Sequence, residues 1–240
     1  MYGKTLKELN NKSHVKKIRY KNLTYEKISS EKEFSYFRLS LNQNMKYKIS
    51  HKSFYLFVNK GSVFINKREY LNNYKEILLS RNFLYFETTK DTELYIFFFK
   101  RIIKLKIDNI QKNKISKILS TPIKHKKKYW GCIFDLLQND NGAIKIIEMK
   151  INTQSSMEFH IKKKENYFLE YGLMDLGIRY SRGLNGIIDL KKNNSFLMKP
   201  GTMHMRMAKK DCKIIEMSTR DYDNDSIIVH DGKKYKFQID

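Results

Sequence analysis

Three stretches decide how the chain is read: Ser156-Met-Glu-Phe-His160, Lys163-Lys-Glu165 running on to Tyr171-Gly172, and Lys199-Pro-Gly-Thr-Met-His204. Glu158 and His160 stand at i and i+2, so on a β-strand these two potential ligands leave the same face. Glu165 opens an aromatic run that ends at Gly172 and can return to that face. The Pro200-Gly201 turn then delivers His204 at the start of another strand. Basic residues flank this set. Lys163 lies two positions before Glu165 and Arg206 two after His204, so alternation aims Arg206 into the same interior, where either cation can hold a phosphate or another oxyanion. Tyr167 shares the parity of Glu165 and lines the same pocket. Trp130, the single tryptophan, offers a ring to a ligand or to the core.

Working outward, short alternating or aromatic-rich runs read as strands: Phe34 to Leu41, Phe54 to Val58, Ser62 to Ile65, Phe83 to Phe86 and Leu94 to Phe99. From Leu105 to Leu119 the apolar residues Ile107, Ile110, Ile118 and Leu119 fall near helical spacing, which predicts an amphipathic connector ending before Pro122. Strands then return, from Ile144 to Lys150 through Lys213 to Ser218. A weak repeat accompanies this order. Phe54 to Gly61 matches Glu165 to Gly172 when the glycines are superposed, and Leu84 to Phe98 lies on His204 to Ser218 without a gap, Asp91 opposite Asp211. Strands, a connector and strands again indicate a duplicated all-β unit.

In these residues the second half resembles the cupin superfamily, whose first motif is a His-x-His or Gln-x-His pair, a glutamate and a glycine, and whose second is a Pro/Gly turn followed by histidine. The resemblance tightens toward the type II phosphomannose isomerases and the cupin domain fused to mannose-1-phosphate guanylyltransferases. It is carried by Lys128-Tyr-Trp-Gly131, by Ser156 to Glu165, and by Ile214-Ile-Glu-Met-Ser218 with Asp223 to Ile228. Tyr129 stands where that branch has proline, Glu158 where it often has Gln, and Met205 where an Arg commonly follows the last histidine. The resemblance implies two tandem jelly-roll β-barrels. It also implies Glu158, His160, Glu165 and His204 as the ligands of one divalent metal, among Zn, Fe, Mn, Ni and Co. Tyr47, Ile49, Phe54 and Leu84 fall opposite the four ligands in the first half, so that barrel is read as degenerate and metal-free. The expected division is 1–103 for the degenerate barrel with an N-terminal extension, 104–125 for the helical connector and 126–240 for the metal-bearing barrel.

Composition bounds the function. With 41% hydrophobic and 13% aromatic residues the chain can bury real cores, and no apolar run approaches a transmembrane span. The polar start, Met1 to Asn11, shows no secretory leader, and two cysteines, Cys132 and Cys212, leave a reducing, cytoplasmic setting as the simplest one. A formal charge of +23 invites a nucleic-acid reading. The excess is spread along the chain, apart from His125 to Lys128, without a nucleic-acid-binding motif, so it reads as a basic surface favouring anionic small molecules. The resulting expectation is a metal-dependent enzyme of isomerase or epimerase type acting on an anionic sugar or sugar phosphate, in surface-polysaccharide precursor synthesis. Lys163 and Arg206 would be its catalytic cations and a homodimer its assembly. The alternatives are an oxygenase or lyase acting on a small organic acid, and a carbohydrate-binding bicupin without catalysis.

Overall fold

The structure, a computed structural model, describes residues 12–20, 23–71, 74–112, 114–222 and 224–238. The polar start at 1–11 and Asp223 lie outside the described residues. Among those described, every regular element is a β-strand, and no helix is long and apolar enough to cross a membrane.

Two units emerge, Val15–Ile123 and Lys124–Asp240, and the strand Lys12–His14 belongs to the latter. The first unit is one ten-stranded sheet organised on the long strand Met45–Lys60. Its first half pairs with Phe83 to Thr88 and with Ile107–Asn109; after an irregularity between Ser50 and Ser53 its second half pairs with Leu78 to Arg81 and with Glu93 to Phe97. Alternation in Thr92–Phe98 sends Leu94, Ile96 and Phe98 inward, where they join Phe37, Leu39, Ile49, Phe54 and Leu84 in one apolar core.

The second unit has two sheets. One runs in the order Lys12–His14, Asn194–Met198, Glu165–Tyr171, Cys212–Ser218, Gly142–Met149, Gly131–Asn139 and Lys124–Lys128. The other runs Gly186–Lys191, Leu173–Tyr180, Thr202–Ala208, Met157–His160 and Ser226–His230, with Thr153–Gln154 paired to Thr202–Ala208. Trp130, Ile147, Tyr167, Leu169, Leu176 and Ile214 fill its core.

The helical connector is corrected. Ile107–Asn109 pairs with Met45–Lys60, and Ile118–Pro122 with Glu76–Thr88, so the segment's backbone finds its hydrogen bonds along sheet edges of the first unit. Its apolar residues do not make a helical face: Ile107 enters the core, Ile118 packs against it, and Ile115 is exposed.

Strand registers bear out the duplication. Lys17–Tyr20 pairs with the next strand from Tyr20↔Leu23 outward, as Lys124–Lys128 does from Lys128↔Gly131. Matching irregularities follow at Lys27/Ser29 and Asp135/Leu137, and Asn44 and Asn152 both adopt left-handed backbone. The registers also revise part of the repeat. Leu84 pairs with Ile49 as His204 pairs with Glu158, so the counterparts of Glu158 and His160 are Ile49 and His51 rather than Tyr47 and Ile49. The turn at 161–164, which interrupts the second unit where Met45–Lys60 runs through, accounts for the shift. His51 stands among non-ligand neighbours: its Nε2 accepts the Lys106 N–H at 3.1 Å, its ring lies 4.8 Å from Phe98, and the other three counterparts are apolar.

Gly61 and Gly172 are the firmest markers of the repeat. Their φ angles are +78° and +93°, and a Cβ on either would collide with the carbonyl of Asp91 or Asp211 respectively. Those aspartates play matching parts, accepting the Gln43 and Ile151 N–H groups at 3.0 and 2.7 Å. Gly61→Ala and Gly172→Ala should therefore each lower stability by about 1–3 kcal/mol in denaturant titrations.

Candidate metal centre

Glu158 and His160 lie on Met157–His160, Glu165 opens the next strand, and His204 lies on Thr202–Ala208 directly across from Glu158. One donor atom from each of Glu158, His160 and His204 lies within 4.8 Å of the others. Glu165 completes the group, with Oε1 3.5 Å from His160 Nε2 and Oε2 3.5 Å from His204 Nε2. The four residues that the sequence singled out are thus brought together.

Protonation states suit a cation. His204 Nδ1 donates to the Thr202 carbonyl at 3.1 Å, which leaves the Nε2 lone pair facing the carboxylates. Burial holds this imidazole below its ordinary pKa, against the pull of Glu165 and Glu158, so it stays neutral and able to ligate. Burial alone would raise Glu165, but the Lys163 ammonium, 2.7 Å away, holds its carboxyl far below the usual range. Glu158 is lowered likewise, burial being outweighed by the Arg206 guanidinium. Glu165 Oε2 is buried without a hydrogen-bond partner, an atom that a bound cation would satisfy. Two imidazoles with two ionised carboxylates therefore fit one divalent ion, held by Glu158, His160 and His204 with Glu165 beside them.

Lys163 and Arg206 reach the site but are already engaged. Lys163 Nζ lies 2.7 Å from Glu165 Oε1 and 3.1 Å from Asp221 Oδ1. Arg206 donates to Glu158 Oε1 and to the Tyr167 hydroxyl, each at 3.0 Å. Tyr167 sits behind the ligands, its hydroxyl 3.4 Å from His204 Nε2. Trp130 is buried in the core with its ring 5.7 Å from the Arg206 guanidinium. Neither aromatic ring lines the cavity of about 430 Å³ onto which Glu158, His160, Lys163, Glu165 and Arg206 open.

Residues that the motifs did not assign complete the wall. Lys145 and Glu216 are cross-strand neighbours in the larger sheet, and Lys145 is paired with Asp221. Glu216 Oε1 has no hydrogen-bond partner, with Lys163 at 3.7 Å and Lys145 at 3.9 Å. Burial raises its pKa above the ordinary carboxylate value; Lys145 and Lys163 oppose the rise and the negative Glu165 adds to it. The signal in the sequence was a lone charge inside an apolar run, Lys145 within Ile144 to Ile147 and Glu216 within Ile214 to Met217. Asp225 gave no such signal. Its buried carboxylate accepts the N–H groups of Ile161, Lys162 and Lys163 at 3.0, 2.9 and 2.9 Å, fixing the turn between His160 and Glu165. Ser226 next to it donates to Glu158 Oε2 at 2.8 Å.

No family model and no curated protein matches the chain. Solved structures do. A variant of Bacillus subtilis oxalate decarboxylase superposes with a TM-score of 0.73 at 8% identity, covering 95% of this chain and 81% of that one. Lactobacillus farciminis oxalate decarboxylase, solved as a formate complex, gives 0.65 at 10% identity over 92% and 88%. Momordica charantia 7S globulin gives 0.67 at 9% identity over 91% and 86%. Another structure of the Bacillus enzyme is described by its Mn(II) centres. The chain accordingly has the all-β cupin fold in its two-unit, bicupin form. Within that fold, the group found among the described residues that could hold a divalent metal lies in the second unit.

Two outcomes test the centre. The double variant His160→Ala/His204→Ala should lose its divalent metal by elemental analysis, whereas Leu84→Ala in the first unit should keep it. Asp225→Ala should weaken metal affinity about 10–100-fold in competition with a chelator, since the turn that aims His160 loses its clamp.

Proposed function

We propose that the second unit is the active site of a metal-dependent lyase acting on a small organic anion. The observation that carries this reading is the donor group of Glu158, His160 and His204, of which Glu158 and His160 line a cavity that also presents Glu216, a buried carboxyl with an oxygen uncommitted to any hydrogen bond. The likeness to oxalate decarboxylases, one of them described by Mn(II) centres, supports it. A divalent ion held there supplies Lewis-acid polarisation of a bound oxyanion. Arg206 orients Glu158 through its 3.0 Å bond, and Lys163 fixes Glu165. Glu216 is the proton donor. When the substrate's carbon–carbon bond breaks, its electron pair stays on carbon as CO₂ departs; the carbanion takes the Glu216 proton, and solvent reprotonates the carboxylate.

A second reading, aldose–ketose isomerisation of a sugar phosphate, is favoured by the cavity's size, which exceeds what a minimal dicarboxylate fills. There Glu216 would move a proton between adjacent carbons. Weighing against it, Lys163 and Arg206, the expected phosphate anchors, are both paired with the protein's own carboxylates.

Metal-loaded protein assayed against oxalate, β-keto acids and hexose phosphates separates the two by product. For either, Glu216→Gln should lower kcat by about 10²–10⁴ while metal content is retained. Because the Glu216 pKa is raised, its acid form persists above the ordinary carboxylate range. Lyase turnover should fall as pH rises through that value, and Glu216→Gln should abolish the limb. Full turnover by Glu216→Gln would remove Glu216 from the chemistry.

A further inference from the structure

Beyond the donor group, the cavity continues to the sheet edge formed by Lys124–Lys128, a strand exposed along its whole length. Lys126 and Lys128 both line the cavity. Register explains this: Lys126 pairs with Ile133, which pairs with Ile147, so these three side chains leave one face of the sheet as a row. Ile133 and Ile147 line the cavity too, making an apolar floor on the side of the edge strand. The cations deeper in are neutralised, Lys163 by Glu165, Lys145 by Asp221 and Arg206 by Glu158. Lys126 is shared with Asp135 at 2.9 Å, whereas Lys128 has no ion-pair partner among the described residues.

A site whose inner cations are spent, while its rim keeps Lys128 free of a carboxylate beside a Lys126 shared with Asp135, discriminates by length. Three strand spacings separate the strand of Glu216 from that of Lys126 and Lys128, about 14 Å at the backbone. Lysine side chains reaching inward shorten that gap, yet a minimal dicarboxylate held beside Glu216 does not span it. We infer that the ligand is a two-ended anion, with one oxyanion group at the metal donors, an uncharged middle over Ile133 and Ile147, and a second carboxylate or phosphate at Lys126 and Lys128. The inference rests on the proposed function for the inner end and adds the outer one, which sets the substrate class.

The experiment is calorimetry on the metal-loaded full chain with paired probes: succinate against butyrate, adipate against hexanoate, and mannose 6-phosphate against mannose. At least one dianion of the first two pairs, or the sugar phosphate, should bind about five- to tenfold more tightly than its partner. The first result identifies a carboxylate as the outer group and the second a phosphate. Lys126→Met/Lys128→Met should erase that difference with metal content unchanged. The difference should also shrink between about 50 and 200 mM salt, because the rim is exposed. Equal binding within every pair, or an advantage that survives the double variant, overturns the outer subsite while leaving the metal centre standing. Metal-loaded protein that takes no oxyanion at all, oxalate included, overturns both.

Discussion

The second unit is organised by one buried charge. Glu165 is almost wholly removed from water, and an ionised carboxylate there is tolerable only if its partners are fixed in place. Lys163 supplies the near ammonium, and the two imidazoles close the other sides. Each partner is in turn held by something else. Asp225 clamps the turn that carries Lys163, the Thr202 carbonyl orients His204, and the pairing of Glu158 with His204 sets the distance between the two ligand-bearing strands. Removing one member would leave an uncompensated charge, a loss of about 3–5 kcal/mol, so the cluster is stabilising only as a set.

Charge balance then explains why the basic residues near the ligands are poor phosphate anchors. Lys145, Lys163 and Arg206 face Glu158, Glu165, Glu216 and Asp221, which leaves negative charge in excess unless a proton or a cation supplies the balance. The raised pKa of Glu216 is the proton's answer, and the donor group is the cation's. A chain with a formal charge of +23 therefore encloses an inner wall whose carboxylates outnumber its cations by one, a difference that the Glu216 proton removes.

The fold and the ligand group were legible because they rest on local rules. Alternation placed Glu158 with His160, the Pro200-Gly201 turn announced His204, and Gly61 and Gly172 marked one supersecondary unit used twice. The connector was misread because sparse apolar residues fit a helical spacing by chance when no cap confirms it; sheet edges left open by the preceding strands claimed the segment instead. The two-residue slip at Tyr47 and Ile49 has a similar origin. An alignment hung on one glycine cannot see a turn inserted upstream of it, and only the Ile49↔Leu84 pairing restores the count. The pairings of Lys163 and Arg206, and the clamp at Asp225, depend on strands far apart in sequence and had no local signature.

Lys12–His14 completes the larger sheet of the second unit by pairing with Asn194–Met198, Lys12 opposite Phe196. The whole first unit lies between these partners in sequence. During synthesis the edge strand leaves the ribosome before the first unit, whereas its neighbour emerges only after that whole unit has been made. Closing so long a loop carries a large entropic cost and places this pairing among the slow events of folding. The second unit is consequently not a separable cassette. A fragment cut at the boundary near residue 124 would expose the backbone edge of Asn194–Met198, inviting association between copies through that strand.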